Sequence, residues 1–311
     1  MERELWRILY WMVLSSDNCW AARGVGYSDG VVALTYLWAA AHDRPTVWAC
    51  DERHWPRDEP LPFAAIPSQP TMSRRLRTPG VAGLLARVER MFLDAATAGA
   101  GGGGGGGGAL MVFKMIDGKP LPVGGHSTDP DARWGEAVRG LAKGYKLYAI
   151  WAAAASPVPL AWEVRPMDAA EQTVARRLIP RLADASPGGG YLAGDGVYDS
   201  NPLHDAAAAV GHQLVARRRY PGTGLGHRRH SPGRLRSIDL LEGGSAFGAA
   251  LRHARDGIER KFGNLTGFGG GLQPLPAWAR RPWRVRLWVQ AKILINAARI
   301  ARNQQGQRAA A

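Results

Sequence analysis

The chain has 311 residues, 46% of them hydrophobic, which is enough for one large domain or two of ordinary size. Its 40 Lys and Arg residues against 26 Asp and Glu residues give a formal net charge of +14 at pH 7. A charge of this size favours an anionic partner, most commonly nucleic acid; the alternatives are an anionic membrane surface or a proteome that is basic in general. The two cysteines make neither a disulfide framework nor a zinc-ligand spacing, and the early apolar run at 8–14 is too short to cross a bilayer. We therefore expect a soluble, cytoplasmic, nucleoid-associated protein with no membrane partner.

Residues 1–94 carry helical patterns and are predicted to form a small helical domain. Apolar residues recur at helical spacing between positions 5 and 13. Ser28 followed by Asp29 predicts the start of a second helix, over the apolar run 31–38. A Pro-rich stretch then precedes a basic segment.

That basic segment is the first candidate DNA contact. A helix that starts near Ser68 or Thr71 would project arginines over most of its circumference, namely Arg74, Arg75 and Arg77. Short helices behind a turn, with a basic one last, resemble a helix-turn-helix reader of the major groove. The alternative is an exposed basic helix that contacts only phosphates or acidic side chains. We predict that residues 1–94 bind DNA.

A glycine tract divides the chain. Eight consecutive glycines occupy 101–108, and no Lys-Ser or Lys-Thr pair follows them as it would in a phosphate-binding loop. Because glycine loses the most conformational entropy on ordering, the tract is predicted to be a flexible tether. We place a Gly-rich linker at 95–109, a second domain at 110–303 and a short tail at 304–311.

The second domain opens with a predicted strand at 110–116 that ends at Asp117. A Gly- and Asp-rich loop follows. Two short strands at 144–151 and 159–164 are expected to pair as a hairpin. A helix is predicted over 168–182, with its apolar residues on one side.

A second acid follows a second buried strand. The apolar run 191–193 is predicted to be a strand, and Asp195 lies just after it, where α/β proteins present side chains to a ligand crevice. The alternative role for an aspartate here is an N-cap, which suits Asp199 better because Ser200 follows it directly. A helix over 203–210 and a strand over 212–216 come next.

The segment 217–237 is rich in arginine and is predicted to be a basic loop, neither strand nor helix, within an insertion at 217–243. We expect it to lie along phosphates. The arginines assigned to DNA contact are Arg217, Arg218, Arg219, Arg228 and Arg229.

The helix predicted from Gly244 onward carries Arg255 and Glu259 beside its apolar stripe, four residues apart. The alternative to a functional role is an exposed ion pair worth about 0.3–0.5 kcal/mol. A long helix over 283–301 is expected to pack onto the domain.

The order of these elements predicts that three acids converge. A sheet of three antiparallel strands, extended by parallel ones through crossover helices, brings its first and fourth strands side by side. Asp117 and Asp195 would then end near each other, and the helix that carries Glu259 can pack across that edge. Crowded carboxylates need a cation, and oxygen ligands suit Mg²⁺ or Mn²⁺. Two such ions activate a water or a 3′-hydroxyl on one side of a phosphodiester and stabilise the leaving oxygen on the other.

The acid-containing blocks resemble a known family, the DDE transposases of bacterial insertion sequences, over about 110–300. The four blocks occur in the family's order and are 117–123 (DGKPLPV), 143–147 (KGYKL), 195–200 (DGVYDS) and 255–262, in which Arg255, Glu259, Arg260 and Phe262 match. The chain departs from the family at Arg252 and Thr266, where relatives often carry a Tyr and a Lys that hold a flipped DNA base. The glycine tract is also unlike the family.

The resemblance implies a ribonuclease-H-like fold, a mixed five-stranded sheet flanked by helices behind the small helical domain. It implies Asp117, Asp195 and Glu259 as ligands of two Mg²⁺ or Mn²⁺ ions, with Arg255 orienting Glu259 or contacting phosphate. Lys119 and Lys146 are assigned to DNA as well.

The implied activity is DNA strand cleavage and transfer at element ends. The implied partners are double-stranded DNA, as terminal inverted repeats and target, and a second copy of the chain in the DNA complex. Two alternatives remain open, a catalytically silent DNA-binding derivative and a metal-dependent nuclease that cuts without joining.

Overall fold

The computed structural model describes residues 3–17, 26–56, 65–100, 112–124, 126–153, 156–221, 223–227, 229–272 and 274–310, without the side chains of 97–100 and 307–310. The chain forms two compact units. The first comprises Met1–Ala95, Leu265–Gln273 and Leu287–Ala311, and the second comprises Ala96–Asn264 and Pro274–Arg286.

The first unit is helical, as the periodicity predicts. Its amino-terminal helices are α1 (Arg3–Ser16), α2 (Asp29–Ala41), α3 (Thr46–Ala49), α4 (Gln69–Arg75) and α5 (Pro79–Ala100). The predicted cap is confirmed, since the Ser28 hydroxyl oxygen accepts a hydrogen bond from the N–H of Val31 at 3.2 Å. Ser68 is the N-cap residue of α4, so that helix starts where the sequence indicates.

Indole rings form the centre of this unit. Trp38 stacks on Trp55 with ring centroids 5.0 Å apart, and Trp6 meets Trp38 edge-on at 4.9 Å. All three rings are buried. Aromatic side chains bury more area than any others, so a small helical unit gains much of its core from them.

A fully buried lysine closes the carboxyl end of α2. The Lys292 ammonium donates to the carbonyl of Ala40 at 2.6 Å, to Asp43 at 2.6 Å and to the carbonyl of Gly270 at 2.9 Å. A buried ammonium is stable only when its donors are satisfied, and three acceptors meet that condition here.

The second unit is built on one mixed sheet. Its strands are β1 (Phe113–Pro122), β2 (Arg133–Ala137), β3 (Gly140–Ala152), β4 (Ala161–Pro166), β5 (Gly190–Gly194) and β6 (His212–Ala216). The order is β2-β3-β1-β5-β6, with β4 also pairing with β3. β1 and β4 run antiparallel to β3, whereas β5 runs parallel to β1 and β6 parallel to β5. A mixed α/β sheet is therefore confirmed, with six strands in place of the predicted five.

Helices flank this sheet. After β4 come α6 (Glu171–Leu178), a one-turn 3-10 helix and α7 (Leu182–Ala185), and after β5 comes α8 (Asn201–Ala209). α6 packs on β3, and α8 packs on β6 together with α9 (Pro232–Glu242). The predicted pairing of the 144–151 and 159–164 segments is confirmed in β3 and β4.

Several sequence predictions need correction. The strand that carries Asp117 does not end there, because β1 continues pairing with β3 as far as Pro122 opposite Gly144. The Gly- and Asp-rich loop contains strand β2. The basic loop predicted over 217–237 ends at Ser231, where α9 begins, because Pro232 suits the first helical turn and the Ser237 hydroxyl bonds the backbone of Ala216.

The remaining helices extend further than expected. α10 spans Ala246–Thr266 and α11 spans Pro282–Ala310, so residues 304–310 of the predicted tail are helical. α5 reaches Ala100, so the first part of the predicted linker at 95–109 is helical as well. The rest of the linker, residues 101–109, lies outside the described residues.

Candidate metal centre

Asp117 and Asp195 are brought together by the parallel pairing of β1 with β5. The last register pair of this ladder is Met115 with Ala193, and each aspartate lies two residues beyond its member of the pair. β5 ends at Gly194 while β1 continues to Pro122, so both carboxylates lie just beyond the point where the parallel pairing stops. The prediction that these two acids meet is confirmed.

Glu171, the third acid at this edge, was missed by the sequence analysis. It is the first residue of α6. The Tyr148 hydroxyl, on β3, donates to the carbonyl of Ala169 at 2.6 Å, and the Gln172 side chain donates to the carbonyl of Val197 at 2.8 Å. These bonds tie the start of α6 to the sheet and to the turn after Asp195. A helix-starting acid is so common that nothing in the sequence distinguishes Glu171.

The three acids form a compact group. One carboxylate oxygen from each of Asp117, Glu171 and Asp195 lies within 4.8 Å of the other two, and among the described residues no other such group occurs. Each carboxylate has a fixed orientation. The N–H of Gly118 donates to Asp117 at 2.7 Å, the N–H of Val197 donates to Asp195 at 2.9 Å, and the Lys146 ammonium donates to Glu171 at 2.8 Å.

The buried Tyr198 hydroxyl also belongs to this site. It has no hydrogen-bond partner within ordinary distance among the described residues. Burial is the largest cause of the raised pKa of Tyr198, followed by the negative charges of Glu171, Asp117 and Asp195. The interaction of this hydroxyl with Glu171 does not meet ordinary hydrogen-bond geometry, so this oxygen facing three acids marks a place where a further ligand would be favourable.

Burial and mutual repulsion act on the acids together. Burial raises the pKa of Asp117 to about 6, the N–H of Gly118 and the charge of Arg255 oppose the shift, and Asp195 and Glu171 add to it. Burial likewise raises the pKa of Asp195, and Glu171 contributes in the same direction. Burial and neighbouring carboxylates therefore disfavour the ionised forms of these acids, and a bound cation would offset that cost.

Glu259 lies outside this group, contrary to the expected ligand set. Its side chain, on α10, is 76% exposed, and its closest charged contact is Arg255, at 3.9 Å. Arg255 in turn lies 3.8 Å from Asp117, and its Nε is buried without a partner among the described residues. A guanidinium thus stands between Asp117 and the third predicted ligand.

A cavity of about 240 Å³ adjoins Asp195. Its floor is apolar, formed mainly by Ala193, Val215, Leu241 and Leu251, and its charged lining consists of Asp195, Arg217, Arg252, Arg255 and Asp256. The guanidinium of Arg252 donates to the carbonyl of Leu241. Arginines around a small cavity suit an anion of phosphate type.

The predicted DNA contacts of the first unit fall into two kinds. Arg74 and Arg77 are exposed. Arg75 is engaged within the protein, because its guanidinium donates to the carbonyl of Tyr27 at 2.8 Å and to Asp29 at 2.7 Å. Arg75 therefore holds α4 to the start of α2.

The predicted contacts of the second unit are likewise mixed. Lys146 pairs with Glu171, and Lys119 lies 5.9 Å from the ring centre of Phe262. Arg218 pairs with Glu242 at 2.6 Å, and the guanidinium of Arg219 lies 5.8 Å from the ring centre of Tyr220.

Three further assignments concern the arginine-rich segment. Arg217 lines the cavity, Arg229 is exposed, and Arg228 lies outside the described residues.

The N-cap role suggested for Asp199 belongs to other residues. Asp195 caps a one-turn 3-10 helix at 196–198, whereas Ser200 is the N-cap residue of α8. Asp199 forms two bonds to the guanidinium of Arg234, at 2.8 and 2.7 Å, and lies 3.3 Å from His204. Asp199 therefore anchors α9 rather than starting α8.

The residues present fit a hard divalent cation. Three carboxylates at one sheet edge supply the oxygen ligands that Mg²⁺ and Mn²⁺ prefer, and the raised pKa values identify negative charge in excess of its local compensation. Asp117, Glu171 and Asp195 would hold the ion.

Comparisons with protein-family models, with curated proteins and with solved structures give no match to this chain. Among the helices of the described residues, none combines the length and the apolar character needed to span a membrane.

Proposed function

We propose that the chain is a metal-dependent DNA strand-transfer enzyme, a DDE transposase of bacterial insertion sequences whose second unit has a ribonuclease-H-like fold. The observation that carries the proposal is the group formed by Asp117, Glu171 and Asp195 at one edge of a mixed sheet. The net charge of +14 supports a polyanionic substrate. The proposed partners are terminal-repeat DNA, target DNA and a second copy of the chain.

Two Mg²⁺ or Mn²⁺ ions bound at such a centre supply an activated water or 3′-hydroxyl and stabilisation of the leaving oxygen. The chain's own residues would hold these ions and orient the side chains that bind them. Asp117, Glu171 and Asp195 hold the cations, and Lys146 restrains Glu171 through its 2.8 Å contact.

We place the DNA strand that is cut in the cavity beside Asp195. Arg217, Arg252 and Arg255 line it, and guanidinium groups bind phosphate oxygens in pairs of parallel hydrogen bonds. Arg255 lies 3.8 Å from Asp117, so a phosphate bound by Arg255 would be next to the acids. The neutral Tyr198 hydroxyl is available as a donor to a ligand oxygen at the same site.

One observation favours the nuclease alternative. Glu259 matches the family motif but is 76% exposed, and Glu171 takes the third place in the acid group. An acid group that uses Glu171 has three carboxylates without any from α10, and so departs from the ligand set of the transposase family. A metal-dependent nuclease that cuts without joining is therefore a second candidate function. Glu259 as a ligand stays a prediction.

The test is a cleavage and joining assay on the full chain. Labelled duplexes carrying the DNA that flanks the coding region are incubated with Mg²⁺ or Mn²⁺ and an unlabelled target duplex. Joined products support the transposase, and cut ends without joined products support the nuclease. Salt-dependent binding without cutting in either metal leaves the silent DNA-binding derivative.

Four single substitutions test which carboxylates bind the metal ions. Asp117→Asn, Glu171→Gln and Asp195→Asn are each expected to reduce cleavage by at least about a hundredfold, because each removes one charged ligand. Glu259→Gln, which changes an exposed carboxylate by one atom, separates the two ligand sets. Cleavage that survives the first three substitutions rejects this metal centre.

A further inference from the structure

The hairpin formed by β2 and β3 extends beyond the rest of the sheet. β1 and β3 stop pairing at Pro122 opposite Gly144, with one further bond from the N–H of Val123 to the carbonyl of Lys143, so Gly140 to Ala142 are paired in the sheet with β2 alone. β2 itself is an edge strand. Gly140, with φ of 94°, makes the turn that joins the two strands, a backbone conformation that favours glycine. The tip is therefore a two-stranded ribbon.

This tip exposes large apolar side chains that a sheet edge normally avoids. Trp134 is 65% exposed, Val138 90% and Leu141 76%. Trp134 pairs with Lys143 and Glu136 with Leu141 in the register, so Trp134 and Leu141 lie on the same face. Among the described residues, no aromatic ring or cation stacks on Trp134. Exposed apolar clusters of this kind mark interaction surfaces.

The charges around Trp134, Val138 and Leu141 favour a negatively charged partner. The hairpin 133–143 carries three positive side chains, Arg133, Arg139 and Lys143, against one negative, Glu136. No carboxylate among the described residues pairs with Arg133 or Arg139. Without DNA to neutralise the charge, a second copy of a chain with net charge +14 would be repelled, whereas a polyanion would be attracted.

Shape and position agree with this choice. A two-stranded ribbon fits a DNA groove, and apolar side chains at such tips pack against sugars and bases while arginines contact the flanking phosphates. Strand β3, which carries Leu141 at the tip, also carries Lys146, the partner of Glu171 in the candidate metal centre. Five residues of strand separate Leu141 from Lys146, about 17 Å, which corresponds to about five base pairs of duplex.

We propose that the β2-β3 tip is a second DNA contact, in which Trp134, Val138 and Leu141 enter a groove of double-stranded DNA and Arg139 binds a phosphate beside it. This inference rests on the proposed function only in taking DNA as the substrate. It assigns to this hairpin the task of holding the duplex about half a helical turn from the acids.

The test is duplex binding by the full chain without divalent metal, so that catalysis plays no part. Fluorescence anisotropy of a labelled duplex in EDTA is measured over a series of salt concentrations. The variant Trp134→Thr/Leu141→Thr places β-branched residues, which favour strands, at both positions and is expected to weaken binding about tenfold with the salt slope unchanged, because stacking and apolar contact are lost. Arg139→Gln is expected to lower the salt slope by about 1.

The matched control is Trp278→Thr, which removes a 39% exposed indole of the second unit outside every assigned DNA contact, and it is expected to leave duplex affinity unchanged. Wild-type affinity in the Trp134→Thr/Leu141→Thr variant overturns the hairpin contact. A concentration-dependent dimer seen by light scattering and lost in that variant also overturns it, in favour of a second copy. Failure of the wild-type chain to bind duplex overturns this contact and the proposed function together, whereas hairpin-dependent binding without cleavage leaves this contact standing.

Discussion

The ammonium of Lys146 lies 2.8 Å from the carboxylate of Glu171, inside a group of acids that the sequence predicted without either residue as a member. Lys146 is a cation tethered to the backbone at the place where we propose a metal ion. It offsets part of the acids' repulsion while leaving Asp117 and Asp195 with raised pKa values.

Removing the positive charge of Lys146 should strengthen the binding of a metal ion by the three acids. In Lys146→Met, we expect Mn²⁺ to bind about three- to tenfold more tightly, because the acids lose the ammonium that lies 2.8 Å from Glu171. The metal-free chain should be less stable, because Glu171 is left without its partner. Isothermal titration with Mn²⁺ and thermal melting in EDTA measure both. Weaker Mn²⁺ binding with an unchanged melting temperature would contradict this role of Lys146.

The metal centre itself predicts a ligand-dependent gain in stability. Mn²⁺ at a hundredfold excess over its Kd should stabilise the folded chain by about 2.7 kcal/mol. Glu171→Gln should remove most of this gain. Glu259→Gln should retain it, because that carboxylate lies outside the group.

Thermal melting with and without Mn²⁺ distinguishes the two glutamates. Chelation by EDTA should return the wild-type chain to its metal-free melting temperature. A gain that disappears in Glu259→Gln and persists in Glu171→Gln would show that α10 moves to supply the third ligand.

Close packing beneath the site makes Gly194 sensitive to substitution. A Cβ at Gly194 would lie 2.8 Å from the ring of Tyr198 and 3.2 Å from Ile116. We expect Gly194→Ala to cost about 1–3 kcal/mol through overpacking, and to weaken Mn²⁺ binding by displacing Tyr198 and the turn after Asp195. Urea unfolding and Mn²⁺ titration give the two readouts.

Gly188→Ala is the control for this packing argument, because a Cβ there meets no atom within 4 Å. It should leave stability and Mn²⁺ binding nearly unchanged. Equal losses in the two variants would mean that the effect does not come from the contact with Tyr198.

The pair formed by Asp199 and Arg234 predicts an acid-dependent loss of stability. Burial tends to raise the pKa of Asp199, but hydrogen bonds and charge from Arg234 and His204 outweigh it and lower the pKa to about 2. A depressed carboxylate pKa stabilises the fold at pH values above the unfolded value of 3.8, and the contribution is lost as the pH falls from about 4 towards 2.

Asp199→Asn should therefore lower the free energy of unfolding by about 3–5 kcal/mol at neutral pH, because Arg234 loses its charged partner. The difference between wild type and variant should shrink below pH 4. Urea titrations at several pH values measure it, with Asp205→Asn, an exposed position on α8, as the control. A difference that stays constant down to pH 2 would exclude the titration of Asp199 as its source.

Local pattern was sufficient for elements whose signals are short-range. Strand β6 occupies His212–Ala216, as the apolar run predicts, and the helix cap at Ser28 forms as expected. The meeting of Asp117 with Asp195 was also predictable, since alternating strands and helices leave few ways to place the first and fourth predicted strands.

Local pattern failed where distant partners decide the outcome. Gly118 and Pro120 indicate a turn after Asp117, but pairing with β3 carries β1 through them to Pro122. β2 has little of the alternation expected of a strand and forms because β3 is long enough to pair with it. The choice of Glu171 over Glu259 follows from where α6 and α10 are held, which no spacing within either helix encodes.

The sequence by itself determined the class of the second unit, its basic surface and two of its three clustered acids, because hydrophobic period, charge and element order are properties of the chain read in one dimension. Only the tertiary structure decided the third acid, the guanidinium between Asp117 and Glu259, and the exposed hairpin tip. These features depend on contacts between segments that are far apart in the chain. Such segments bury surface and satisfy hydrogen bonds against each other only in the folded state.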